Sequence, residues 1–444
     1  MDGGGPTVND PSVERVGPVA LSDRIHVIDI LRGFALFGIL LVNMHLFSHP
    51  VQELLIGYDE VGPLFDRVAA LGIQIFAESK FYPTFSFLFG LGFALQMQRA
   101  EERGTTFVPL YLRRLFILLL IGLAHAIFVW VGDILVLYAV LGAILLLFFR
   151  KRSPRLLLMW AGVFLALSVL LPAGLSGLAM LAKLTPAGAA EVSASFAASD
   201  AGLRADAAQA DVIYATGSFA EITAQRLSDL RLMYSVAVFL AFNAFAMFLL
   251  GLYAGRRGIF RNISGHASLL KKLFWWGLIL GVSSNLAHAM ASHGPEFALP
   301  TWMDVLADSA GTLGGPVLAL GYIAGITLLL QRDAWRNRLG PLAAVGRMAL
   351  TNYLLQSLTA TMLFYGYGFG LFGQVGPGLG LLVTVAIFGA QIPLSVWWLR
   401  HFQYGPAEWL WRTLTYLRWQ PFLVPQSPDN KVRKQDTFTA ETIR

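Results

Sequence analysis

The chain has 444 residues, 56% of them hydrophobic and 14% charged, where soluble domains carry about 25% charged residues, so an ordinary soluble globule is excluded. Zero cysteines exclude disulfides, thiolate metal sites, Cys nucleophiles and iron–sulfur clusters. The net charge of +6 comes from short basic clusters between apolar runs, the pattern of membrane topology signals, and nucleic acid is not an expected partner.

Residues 1–26 begin with a Gly- and Pro-rich stretch lacking the apolar core of a secretory signal, and read as a cytoplasmic tail. At about 20 apolar residues per crossing, spans fall near 27–48, 81–99, 112–132, 134–149 and 156–182, then 232–253, 273–292, 303–330, 341–364 and 378–399. The expected fold is an all-α polytopic membrane protein of about ten transmembrane helices. An interfacial amphipathic helix is added at 64–79, where Asp66, Arg67, Glu78 and Lys80 argue against a crossing. Two bundles (27–182 and 232–399) flank an extracytoplasmic helical segment at 183–231, and residues 400–444 form a second cytoplasmic tail. Alternate connections hold 25 and 6 basic residues. That bias places both termini of this multi-pass protein in the cytoplasm. Within the external segment, Thr216 or Ser218 followed by Glu221 forms a capping signature.

Ionisable groups inside a span are paired, interfacial or used. Asp29 and Arg32 in HVIDILRGF are three apart and suit an intrahelical ion pair. At the other end of that span, LLVNMHLFSHP gathers Asn43, His45 and His49 at one membrane depth, the two histidines four apart on one face. Histidine exchanges protons near neutral pH and serves as a general base; a metal would require a further ligand that the sequence does not supply, so none is expected. In the next hairpin His125 lies two turns before Asp133, which is placed to cap the following helix. Both are expected to face the bundle interior, where they would meet the first-span histidines.

Farther along, Asn243, Asn285, His288, Asp304 and Asp308 fall near the same membrane face. GTLGGP allows close helix approach or a broken helix. Asn352 and Gln356, four apart in GRMALTNYLLQS, read as packing glue between helices.

Several long stretches in one order carry a resemblance: IDILRGFALFGILLVNM, FYPTFSFLFGLGFALQMQ, RRLFILLLIGLAHAIFVWVGDILVLYAVLG, FLLGLYAGRRGIF, GRMALTNYLLQSL and LRHFQYGPAEWLWRTLTY. Across nearly its whole length the chain resembles the YeiB family of bacterial membrane proteins. The first two stretches are also similar to the membrane core of heparan-alpha-glucosaminide N-acetyltransferase, which moves acetyl from cytosolic acetyl-CoA across a membrane to a sugar amine. That likeness implies an acyltransferase in which Asn43 holds a carbonyl oxygen and His49, or else His45, acts on the acyl group or the acceptor. The spacing from Asn43 to either histidine is shorter here than in that enzyme.

The expected function is therefore transfer of an acyl group from cytosolic acyl-CoA to an acceptor at the extracytoplasmic side. Arg113, Arg114, Arg256 and Arg257 are expected to attract the donor phosphates, although the positive-inside rule also accounts for them. The alternatives are a proton-coupled transporter of a small solute or lipid, and a non-catalytic scaffold. Expected partners are membrane lipids and a small-molecule acceptor or solute, with a homodimer left open.

Overall fold

A computed structural model describes residues 25–57, 62–291 and 300–424. Nearly all of the expected N-terminal tail and the final 20 residues of the C-terminal tail lie outside them. The described residues form α-helices with no strand beyond an isolated bridge between Phe402 and Leu423.

Along the chain run α1 (His26–Ser48), α2 (Glu53–Ile56), α3 (Leu64–Phe76), α4 (Phe81–Glu102), α5 (Phe107–Phe128) and α6 (Leu135–Ile144), which passes into a π-helical turn (Leu145–Phe149). There follow α7 (Pro154–Ala182), α8 (Pro186–Thr216), α9 (Phe219–Arg256), α10 (Ala267–Ala291) and α11 (Trp302–Leu329). The chain closes with α12 (Asp333–Arg347), α13 (Ala349–Phe364), α14 (Pro377–His401) and α15 (Pro406–Tyr416). Six of these, α1, α5, α7, α9, α11 and α14, are long and apolar enough to cross a membrane. The short 134–149 span is α6 continued by the π-helical turn, and the stretch read as 64–79 is the amphipathic helix α3, which ends at Phe76.

Small residues set the helix spacing. On α4 and α9, Gly90 and Gly251 face each other's neighbours so closely that an added Cβ would sit 2.0 Å from the Phe248 and Phe87 carbonyl oxygens respectively. Gly251 and Gly255 form a GxxxG pair on α9, the device by which helices in lipid bring their backbones together. Gly277 and Gly281 do the same for α10 against Gly321 and Leu318 of α11. GTLGGP lies inside an unbroken α11 with Pro316 in its interior, so close approach is what those glycines provide.

Polar residues join the remaining helices. Asn352 donates to Ser395 Oγ at 3.0 Å and Gln356 to Gln391 Oε1 at 2.8 Å, linking α13 to α14. Ser218 and Glu221 form a reciprocal cap on α9, and the Asp29–Arg32 pair closes at 3.0 Å.

Candidate functional site

The end of α1 is fixed from two sides. Gly373, in the left-handed region at φ +71°, donates its amide to the Ser48 carbonyl. The turn after α1 is pinned by Gln52, which donates to Asp229 Oδ1 at 3.0 Å, while Tyr214 of α8 donates to the other oxygen at 2.8 Å. These anchors hold the two first-helix histidines at the end of the bundle where α8 lies.

There the rings of His45 and His49 stack with centroids 4.4 Å apart and 8° between planes. His45 Nε2 lies 2.8 Å from Glu53 Oε2, and His49 Nδ1 lies 2.9 Å from Ser48 Oγ. Burial, followed by the neighbouring His45, pushes His49 down to about 4, so its ring is neutral at pH 7. A carboxylate-held imidazole against a neutral one is a proton-handling arrangement.

Asn43 does not share that face. At 100° per residue it sits about 160° around the axis from His45 and about 120° from His49.

His125 and Asp133 face the bundle interior as expected, and Asp133 caps α6, but their neighbours differ from those expected. They pair with each other at 2.8 Å, both side chains fully buried, and the second Asp133 oxygen caps α6 through the Val136 amide at 2.9 Å. The rings beside His125 are Tyr353 at 5.2 Å and Trp130 at 6.4 Å, and Trp130 in turn packs on Phe47. The pair is a second dyad between α5, α6 and α13, with aromatic rings as its neighbours where the first-span imidazoles were expected.

A third dyad had no assigned role in the sequence. His288 Nδ1 lies 3.5 Å from Asp308 Oδ1, at a cavity of about 270 Å³ whose wall also holds Glu78, Lys80, Asn243 and Asn285. Lys80, 1% exposed, donates to the Gln74 carbonyl at 2.6 Å, and burial pushes it down to about 8. Glu78, in the cavity lining, is raised by burial against the lowering effect of Lys80, His45 and His288. Glu53, Glu78 and Lys80 gave no periodic signal, because they lie on turns and short helices that only folding brings to the end of α1.

At the opposite end, where α15 packs, the four predicted arginines divide. Arg113 donates to the Thr415 carbonyl at 3.1 Å, and Arg256 donates to the carbonyls of Arg150 and Arg152. Arg257 lies over Tyr253 with 5.9 Å to the ring centroid. Arg114 stacks on Trp411 at 3.9 Å and belongs to a larger group. Arg32 and Arg412 are within its electrostatic range, Arg412 covers Tyr404, and Arg347 is within electrostatic range of Asp29 and Tyr404. Arg347 Nε is buried without a hydrogen-bond partner. Arg32 and Arg412 act on Arg114, and Arg347 on Asp29, the partner of Arg32; none of the three was among the expected residues.

Comparison with known proteins agrees on kinship. Residues 254–418 match the family described as "Protein of unknown function (DUF418)". The chain is 38% identical over 420 residues to "Uncharacterized protein YxaH" of Bacillus subtilis (strain 168), covering 91% of this chain and 97% of that protein. It is 30% identical over 401 residues to "Uncharacterized protein YeiB" of Escherichia coli (strain K12), covering 88% and 96%. An "Uncharacterized 39.9 kDa protein in amylase 3'region" of Bacillus acidopullulyticus is 30% identical over 426 residues, covering 93% and 99%. The chain belongs to the family of YeiB.

Proposed function

We propose that the chain is a transmembrane acyltransferase that moves an acyl group from cytosolic acyl-CoA to an acceptor at the extracytoplasmic side of the bacterial inner membrane. The stacked His45–His49 pair carries the reading: one ring is anchored by Glu53, and its partner is neutral at pH 7. The basic bias of 25 against 6 assigns the α15 end to the cytoplasm and the α8 end to the outside, with ten crossings and both termini inside.

The residues at the cytoplasmic end suit a polyphosphate donor. Arg32, Arg114, Arg347 and Arg412 bring four positive charges to a locus where Asp29 is the carboxylate paired with Arg32, and the buried Arg347 Nε lacks a partner. These guanidiniums would hold the phosphates by charge-assisted hydrogen bonds. Helix α1 connects the two loci: from Arg32 to His45 and His49 its rise is about 20 to 25 Å.

Bound acyl-CoA supplies a thioester carbonyl as electrophile and a thiolate as leaving group. His49 takes the proton from the acceptor hydroxyl or amine as that atom bonds to the acyl carbon, and returns it to the sulfur as the carbon–sulfur bond breaks. His45, held by Glu53, fixes the plane of the His49 ring.

Purified protein in nanodiscs, given labelled acetyl-CoA, is expected to release CoA at a rate that His49→Ala lowers by about 100-fold. Absence of both CoA release and an acetyl-CoA-dependent rise in unfolding temperature would remove the reading. The cavity beside His288 favours a second reading, a proton-coupled transporter of a small solute or lipid, because intramembrane carboxylates mark such paths. That reading requires pH-driven uptake into liposomes without an acyl donor.

A further inference from the structure

The cavity of about 270 Å³ lies between the 77–80 turn, α7, α9, α10 and α11. Its two sides differ. Pro172, Val236, Phe239 and Leu240 form an apolar wall, while Lys80, Asn243, Asn285, His288 and Asp308 face it with donors and acceptors. Asn243 is 2% exposed, its amide nitrogen donates to the Thr312 carbonyl at 3.1 Å, and its Oδ1 has no partner. A buried acceptor left unpaired costs about 1 to 3 kcal/mol, so this atom marks a place where a ligand donor fits. Asp308 adds a carboxylate acceptor at the rim, and its side chain is largely exposed.

Charge narrows the ligand class. One lysine, one histidine and two carboxylates leave the lining close to neutral, unlike the arginine group at the other end of the molecule. Phosphate would meet two carboxylates, and a quaternary ammonium would lack an aromatic cage, since Tyr82 and Phe239 are the aromatic residues of the lining. The volume equals about nine waters at roughly 30 Å³ each, space for one ring-sized polyol. Glycines keep the polar wall close: a Cβ at Gly311 would stand 2.8 Å from the His288 ring, and one at Gly314 would stand 2.9 Å from Asn285 Nδ2. Leu170 and Val238, two residues from the lining residues Ser168, Pro172, Val236 and Leu240, are exposed on the surfaces of α7 and α9.

We infer that this cavity binds the neutral, hydroxyl-rich head group of an amphiphile whose tail leaves between α7 and α9. Asn243 and Asp308 accept its hydroxyls, and the apolar wall covers one face of the ring. Its meaning as the acceptor site rests on the acyl-transfer reading; the binding itself does not.

The test uses the full chain in nanodiscs with hexyl β-D-glucoside as probe, and hexyl phosphate and hexyltrimethylammonium as charged comparators. The glucoside should raise the unfolding temperature saturably, and its binding should weaken at least tenfold in Asn243→Leu and in Asp308→Ala while Gly162→Ala, with open space around it, leaves it unchanged. Should Asn243→Leu not fold, the exposed Asp308 keeps the test intact. Equal glucoside binding in the wild type and the cavity variants, or tighter binding of either charged comparator, overturns the inference. Glucoside binding with this variant pattern but without any acyl transfer sustains the cavity assignment and removes the acyl-transfer reading; transfer with unchanged binding in the variants does the reverse.

Discussion

The imidazoles of His45 and His49 lie 4.4 Å apart and within 8° of parallel, and Glu53 engages the first of them at 2.8 Å. Because burial lowers His49 to about 4 from 6.5, the unfolded chain holds more protons between those values, and stability falls as pH drops through that window. Unfolding temperature is expected to decline on acidification more steeply in the wild type than in His49→Gln. Parallel curves would show that the folded ring is not held neutral.

The His125–Asp133 dyad is expected to be structural in weight. Removing Asp133 leaves His125 buried and opens the cap on α6. Asp133→Ala should lose about 3 kcal/mol or more, measured by unfolding in mixed micelles. A loss under 1 kcal/mol would show that the dyad is not held as described.

Donor recognition is expected to follow the arginine group at the α15 end. Arg347→Ala and Arg412→Ala should abolish the acetyl-CoA-dependent rise in unfolding temperature, and Arg257→Ala should keep it, since Arg257 lies over Tyr253 outside that group. Arg114→Lys should not substitute, because a compact ammonium does not reproduce the planar stack on Trp411.

Helix spacing provides a packing test. Gly251→Ala would put a methyl 2.0 Å from the Phe87 carbonyl oxygen, where backbone has to move. A cost of about 3 kcal/mol is expected, whereas Gly162→Ala, with open space around it, should be neutral or slightly stabilising.

Glu408 joins α15 to the start of α13, accepting from the Leu350 amide at 2.6 Å and from the Thr351 amide and hydroxyl at 3.2 and 2.6 Å. Burial raises its carboxyl above the usual range. Glu408→Ala leaves buried amides unpaired and should cost about 2 kcal/mol. Glu408→Gln, which keeps one acceptor oxygen, should cost less; equal losses would mean that the cap does not depend on that oxygen.

The sequence by itself determined what depends on local composition and period. Apolar runs marked the helices, Ser218 and Glu221 marked a helix start, and Asp29 with Arg32, like Asn352 with Gln356, shared faces because three or four residues make about one turn. His45 and His49 were legible as a pair for that same reason. Tertiary structure decided which polar groups meet across elements. Glu53 reaches His45 around a turn, Lys80 and Glu78 come from a connection, His288 and Asp308 sit on two helices drawn together by glycines, and Arg412 comes within range of Arg114 and Arg347 within range of Asp29 from far along the chain. No period relates such residues. Their proximity is set by which helix faces pack, and in lipid that follows from small residues and buried polar contacts between helices rather than from apolar content, which is nearly uniform along these spans.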